Sequence, residues 1–178
     1  MPGLSNRVQT FTDSVIRRMT RISDEYGAIN LSQGFPDFDP PKEIMDALAK
    51  AAYQGPHQYS ITFGAMNFRE ALAKKQGKAI NREINPNTEI VVTCGGTEAM
   101  MCAMMTICNP GDKVLVFSPF YENYGADAIL SGADPIYIPL VPPEYHFDIQ
   151  LIENGFKQGA KAIIVCNPSN PCGKVFSR

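Results

Sequence analysis

A chain of 178 residues, 44% of them apolar, can bury one substantial core, and its 19% charged residues and formal net charge of −2 are ordinary for a globular protein in water. No run of basic residues supplies the electrostatic footprint of a nucleic-acid binder, and no apolar run is long enough to span a bilayer. The N-terminus, Met1-Pro2-Gly3-Leu4-Ser5-Asn6-Arg7, lacks an apolar signal core, so the expectation is a cytoplasmic protein.

Residues Ser5 to Tyr26 place Val8, Phe11, Val15, Met19 and Ile22 on one stripe, with Arg17, Arg18, Arg21 and Asp24 mostly off it. This predicts an amphipathic N-terminal helix or arm that Gly27 closes. From Ile29 a short strand-like start runs into Gly34-Phe35-Pro36-Asp37-Phe38-Asp39-Pro40-Pro41, which forces an irregular, extended path. Two readings stand for it: a proline-rich connector, or a loop presenting Gly34 to a ligand. Helices are predicted over Lys42 to Tyr53, with Pro41 in its first turn, and over about Asn67 to Lys78. Between them lies Gln58-Tyr59-Ser60-Ile61-Thr62-Phe63-Gly64, where the tyrosine could simply pack.

The stretch Ile90-Val91-Val92-Thr93-Cys94-Gly95-Gly96-Thr97-Glu98-Ala99-Met100-Met101 reads as a buried strand, a two-glycine turn and a helix running to Ile107. Glycine lets the backbone approach a ligand, and the helix start offers N–H groups and a positive dipole end to an anion. By itself this is also what a tight strand-to-helix connection looks like. After the turn Asn109-Pro110-Gly111-Asp112 the pattern alternates: strand Lys113 to Phe117, helix Tyr121 to Leu130, strand Pro135 to Pro139, helix Asp148 to Gln158, strand Ala162 to Cys166. The expectation is an α/β fold with a mainly parallel central sheet and helices on both faces. Ligands gather beyond the carboxyl ends of such strands, and three loops leave such ends: Cys94 to Thr97, Ser118 to Tyr121, and Asn167 to Gly173.

The last of these, Asn167-Pro168-Ser169-Asn170-Pro171-Cys172-Gly173, carries more punctuation than a turn needs. Flanking prolines would fix the backbone, so Asn170 could hold a phenolic or hydroxyl oxygen in place. The five cysteines are odd in number and sit mostly in or beside predicted elements, which favours reduced, largely buried thiols. With no CxxC pair and only His57 and His146, far apart, a zinc site is not expected.

Four ordered landmarks now stand together: Leu31-Ser32-Gln33-Gly34-Phe35-Pro36-Asp37-Phe38, Gln58-Tyr59 with Gly64, Gly95-Gly96-Thr97, and Asn167 to Gly173. In this order they resemble the N-terminal part of a class I/II aminotransferase, a pyridoxal-phosphate enzyme of the aspartate-aminotransferase fold (fold type I), over nearly all of Ile29 to Phe176. The resemblance implies that residues 1–40 are an N-terminal arm and part of a small domain, and that 41–178 are the first part of a large cofactor-binding domain. It implies that Gly34 lies by the substrate carboxylate and that Tyr59 reaches the cofactor phosphate of a partner subunit in a homodimer. Gly95, Gly96 and Thr97 would hold the phosphate in their own subunit, Tyr121 would stack on the pyridine ring with Phe120 in the core, and Asn170 would bond the ring oxygen. The implied reaction moves an amino group from an amino acid to a 2-oxo acid. The first two landmarks are most similar to the kynurenine, glutamine and methionine branch, which favours aromatic or sulfur-containing substrates.

Two departures matter. Cys172 stands where many members carry threonine. The Schiff-base lysine, the aspartate facing the pyridine nitrogen and the arginine for the substrate carboxylate all follow the Asn-Pro motif in the family, and this sequence stops at Arg178. No catalytic residue is therefore assigned within the chain, which looks like a fragment of a longer enzyme, inactive alone. The alternatives are a carbon–sulfur β-lyase on the same scaffold and a non-catalytic binding or assembly module. A nucleotide-binding domain is disfavoured because Gly95-Gly96-Thr97 has neither GxGxxG spacing nor a P-loop ending.

Overall fold

A computed structural model describes residues 3–10, 14–55 and 57–177. A 3-10 turn at Asn6–Thr10 precedes α1 (Val15–Glu25), α2 (Lys42–Gln54), α3 (Met66–Ile80), α4 (Gly95–Ile107), β1 (Lys113–Ser118), α5 (Asn123–Leu130), β2 (Asp134–Pro139), α6 (Ile149–Lys157) and β3 (Ala160–Ile164). Residues 94–178, with residues 1–12, form one compact unit and residues 13–93 a second.

The larger unit is built on β1. It pairs in parallel with β2 on one side and β3 on the other, giving the order β2-β1-β3. Because successive strand residues point to opposite faces, the run Val114-Leu115-Val116-Phe117 serves two cores at once. Val114 and Val116 pack with Met104 and Cys108 at the end of α4, Ala133 and Ile164. Leu115 and Phe117 pack with Ile138 and Leu140, and Ile152 of α6 leans on that second cluster. Helices thus cover both faces, as the alternating sequence pattern predicts. On the α6 face the rings of Phe117, Phe147 and Phe176 meet with centroids 5.1 to 5.8 Å apart, tying the loop after β3 to the central strand. A register shift sets Lys113 opposite Ala160 and Val114 opposite Ala162. The skipped Lys161 reaches Asp112 at 3.0 Å, and the backbone N–H of Asn109 with that ammonium holds the Asp112 carboxyl below its usual pKa.

Several boundaries differ from the sequence reading, each for a local reason. Ile90 to Val92 is not a strand: the Val92 N–H donates to the Phe63 carbonyl at 3.0 Å, no ladder forms around it among the described residues, and Val91 is exposed. Nor is there a strand at Ile29. The strand predicted over Ala162 to Cys166 begins two residues earlier and stops at Ile164, where its pairing with Val116 ends. The helix expected from Tyr121 starts at Asn123, so Tyr121 lies in the loop before it. Gly95 and Gly96 belong to the first turn of α4 rather than to a turn before it. Only Cys108 among the five free cysteines is buried; Cys94 and Cys102 are exposed and Cys166 and Cys172 half-buried.

In the unit of residues 13–93, Ser14 caps α1 by accepting from the Arg17 N–H at 3.3 Å, and Gly27 follows its end at φ +58°. Within the stretch 5–26, read as an amphipathic helix or arm, the described residues form a 3-10 turn at Asn6–Thr10 and a helix at Val15–Glu25; Phe11, on the predicted stripe, lies outside the described residues. Val15, Met19 and Ile22 of that stripe are exposed within this chain. Pro41 stands at the N-cap of α2, one position before the first turn. The end of the Tyr59 loop is fastened from α3. The buried Arg69 guanidinium donates from Nε to the Gly64 carbonyl at 3.0 Å and from Nη1 to the Pro86 carbonyl at 2.6 Å. Gly64 sits at φ +99°, and a Cβ there would lie 2.4 Å from Val92 Cγ2. Both left-handed backbone and close packing require glycine at this point.

Gly64→Ala should therefore lower stability by about 1–3 kcal/mol, read as a lower denaturant midpoint with unchanged slope. A second expectation comes from Asp127 on α5, 3% exposed, whose Oδ2 has no hydrogen-bond partner among the described residues and whose pKa is raised by burial. The folded state binds this proton more tightly than the unfolded one. The stability linked to it is complete below the unfolded carboxyl value of about 3.9 and is lost as pH rises through the folded value. Asp127→Asn should stabilise the chain by about 1–3 kcal/mol at pH 7 and by much less at pH 4. Denaturation at the two pH values checks this; an equal effect at both would refute it.

Candidate functional site

The site candidates in the larger unit sit on three segments: the start of α4, the loop from β1 to α5, and the loop after β3. Parallel pairing brings the carboxyl ends of β1 and β3 to the same edge of the sheet, so the latter two loops are neighbours.

At the start of α4, residues Gly95, Gly96 and Thr97 are the first three of the helix. The first N–H groups of a helix have no acceptor within it, and the dipole adds a partial positive charge there. The two glycines do different jobs. Gly95 has φ +81°, which favours glycine, whereas Gly96 has no such strain. A Cβ on either would meet nothing within 4 Å, so the space over the helix start is open. Thr97 is exposed, and its Oγ1 accepts a 2.7 Å hydrogen bond from Asn123 Nδ2. Glu98 turns its carboxylate back to accept from the Cys94 N–H, satisfying the N-cap donor just ahead of the glycines.

In the loop after β1, Tyr121 is half-buried, and its ring meets that of Tyr124 edge-on at 5.7 Å. Phe120 stacks on Tyr137 at 5.2 Å and joins the α4-side core, as the sequence reading expected of it. Tyr124 bridges the two loops. Its hydroxyl is hydrogen-bonded with Cys166, and that contact with burial pushes its pKa up to about 12, so it stays neutral at physiological pH. Cys166 in turn donates to the Pro168 carbonyl at 3.3 Å.

The loop after β3 closes on itself. Asn167 clamps the Phe176 backbone by accepting from its N–H at 3.0 Å and donating to its carbonyl at 3.5 Å. Inside that clamp the Ser169 N–H donates to the Lys174 carbonyl, and the Gly173 N–H to the Ser169 carbonyl, both at 2.8 Å. Both Asn-Pro bonds are cis. Buried Ser169 also hydrogen-bonds Cys172, whose thiol pKa is lowered chiefly by that contact. Asn170 is left exposed at the tip, and it lines a narrow crevice with Phe120, Tyr124 and Cys166.

Five of the seven sequence candidates, Gly95, Gly96, Thr97, Tyr121 and Asn170, therefore lie in one unit. Contacts link them: Thr97 to Asn123, Tyr121 to Tyr124, and Tyr124 through Cys166 to the Asn170 loop. Gly34 and Tyr59 lie in the other unit. Gly34 is exposed with open space at its Cβ direction, and Tyr59 is 98% exposed at φ +37°. Sequence reasoning missed Asn123, Tyr124 and Glu98. The spacing of Tyr121 and Tyr124 was a signal for the second, since residues three apart meet on one side of a turn.

The model of the family described as aminotransferase class I and II matches residues 26–178. The chain is 34% identical to kynurenine–oxoglutarate transaminase 3 of Rattus norvegicus over 98% of its own length and 41% of that protein. It is 33% identical to the methionine aminotransferase of Escherichia coli over 93% of itself and 43% of that protein. Among solved structures, an Escherichia coli protein with a methionine aminotransferase function superposes with TM-score 0.92 at 30% identity, covering 100% of this chain and 47% of that one. Aspartate aminotransferase of Thermus thermophilus with maleate gives TM-score 0.90 at 30% identity, covering 100% and 48%. The chain thus spans less than half the length of these relatives. On the family match, the sequence identity and the shared fold together, the chain belongs to the class I and II aminotransferases.

Proposed function

We propose that this chain is the phosphate-holding and ring-facing part of a pyridoxal 5'-phosphate-dependent aminotransferase that moves an amino group from an amino acid to a 2-oxo acid. The observation that carries the reading is the start of α4: unencumbered space over Gly95 and Gly96, helix N–H groups, and the Thr97 hydroxyl. These residues fit a phosphate, since small side chains let the anion reach the backbone and the dipole favours its charge.

When bound, pyridoxal phosphate supplies the electron sink, and the protein supplies orientation and control of protons. Gly95, Gly96 and Thr97 would hold the phosphate. Tyr121 would stack on the pyridine ring, and the Asn170 amide, exposed and carried on a clamped loop, would donate to the ring oxygen. Gly34 lies by the substrate carboxylate, and Tyr59 reaches the phosphate of a partner subunit in a homodimer, which accounts for a tyrosine so exposed within one chain. On this reading residues 1–40 are the arm and part of a small domain, and 41–178 begin the large domain. The kynurenine and methionine relatives support an aromatic or sulfur-containing amino donor.

Gly96→Val should abolish binding of pyridoxal phosphate to the chain. Gly96 is unstrained and faces open space, so valine leaves the fold intact and fills the cradle. Cys172→Thr should leave binding nearly unchanged. Titration followed by absorbance and calorimetry decides this, and equal binding by the two variants would remove the anion-site reading. Binding itself should be weak, because a charge at a helix end contributes only about 0.3–2 kcal/mol. The isolated 178-residue chain should show no amino transfer, since the chemistry needs an amine nucleophile at the cofactor and none of its lysines stands at the family's position. Measurable transfer by rigorously purified chain would contradict this.

A further inference from the structure

A threonine hydroxyl has one hydrogen to give, and its direction depends on what already occupies the oxygen's lone pairs. Elsewhere in this chain, helical hydroxyls direct theirs to the preceding turn: Thr20 to the Ile16 carbonyl, Ser23 to Met19, and Thr106 to Cys102, at 2.7 to 3.1 Å. Thr97 is held in another way. The Asn123 amide nitrogen, which can only donate, approaches Thr97 Oγ1 at 2.7 Å, so the threonine oxygen is the acceptor in that bond. Its own hydrogen is thereby turned away from Asn123.

Asn123 is the first residue of α5, two residues after Tyr121, and Thr97 is the third residue of α4. We propose that Asn123 is a positioning residue for the cofactor phosphate: by donating to Thr97 Oγ1, it keeps the Thr97 hydroxyl a donor toward an anion at the start of α4. The same contact couples the loop bearing Tyr121 to the phosphate cradle. The ring-facing and phosphate-facing groups are thereby set at a fixed span. A hydroxyl whose oxygen accepts one bond is also a better donor in the next, because chained hydrogen bonds polarise one another. This inference rests on the pyridoxal phosphate reading above and adds a role for a residue whose amide donates to Thr97.

The experiment is a double-mutant cycle on the full chain, with pyridoxal phosphate and inorganic phosphate titrated separately and binding read by absorbance and calorimetry. Asn123→Ala should weaken both ligands about three- to tenfold when Thr97 is present and less than twofold in the Thr97→Val background. Equal losses in both backgrounds, or no loss in either, would overturn the proposal, since a general structural effect does not depend on the Thr97 hydroxyl. Asn123→Asp covers the case in which alanine disturbs the start of α5. Nearly the same shape but unable to donate, its carboxylate takes the Thr97 hydrogen and should weaken binding at pH 7 at least as much as alanine; unchanged binding would overturn the proposal. Gly96→Val separates the two levels of the argument. If wild type and Gly96→Val bind alike, or wild type binds neither ligand, the cofactor reading falls and this inference with it. If Gly96→Val alone loses binding, only the role of Asn123 is refuted.

Discussion

The parallel pairing of β1 with a strand on each side is the constraint from which the larger unit follows. Val114, Leu115 and Val116 are fully buried, and each such side chain contributes about 1.5–3 kcal/mol on leaving water. Their alternation assigns α4 and α5 to one face and α6 to the other, so a four-residue run decides which side of the sheet each helix must cover. The fit is close: a Cβ on Gly155 of α6 would come within 2.5 Å of Leu115 Cδ2.

Parallel strands also put their carboxyl ends at one edge, and the chemistry gathers there. Tyr124, at the start of α5, and Cys166 link the loops after β1 and β3, and the Phe117, Phe147 and Phe176 rings tie the loop after β3 to the core. The loop after β3 is clamped at its base and carries an exposed polar group at its tip. Asn170 shows the arrangement best: Asn167 and Ser169 take up the backbone groups around it, while its own amide stays exposed. A binding group gains from such a base because little conformational freedom is lost when a ligand arrives.

Residues 13–93 have a different character. Few side chains there are buried, and Val15, Met19, Ile22, Ile44, Met45 and Leu48 are exposed on α1 and α2. Exposed apolar stripes on well-formed helices are surfaces that another element would cover. The chain spans less than half the length of its relatives.

Much of this was legible in the sequence. The alternation of strands and helices from Lys113 onward named the α/β class and the parallel sheet, because strand and helix periods are local properties of the chain. The four ordered landmarks named the family, since each rests on residues that few other contexts need together. Ile90 to Val92 was misread because an apolar β-branched run is equally consistent with a paired strand and with an extended segment that lacks a ladder. The two glycines before Thr97 looked alike in sequence, and only backbone geometry separated Gly95, which needs φ +81°, from Gly96, which keeps space open. The bonds Asn123 to Thr97 and Tyr124 to Cys166 join residues 26 and 42 positions apart, and no local pattern announces them. They exist because packing on β1 brings the starts of α4 and α5 and the end of β3 together, a decision that belongs to the tertiary structure alone.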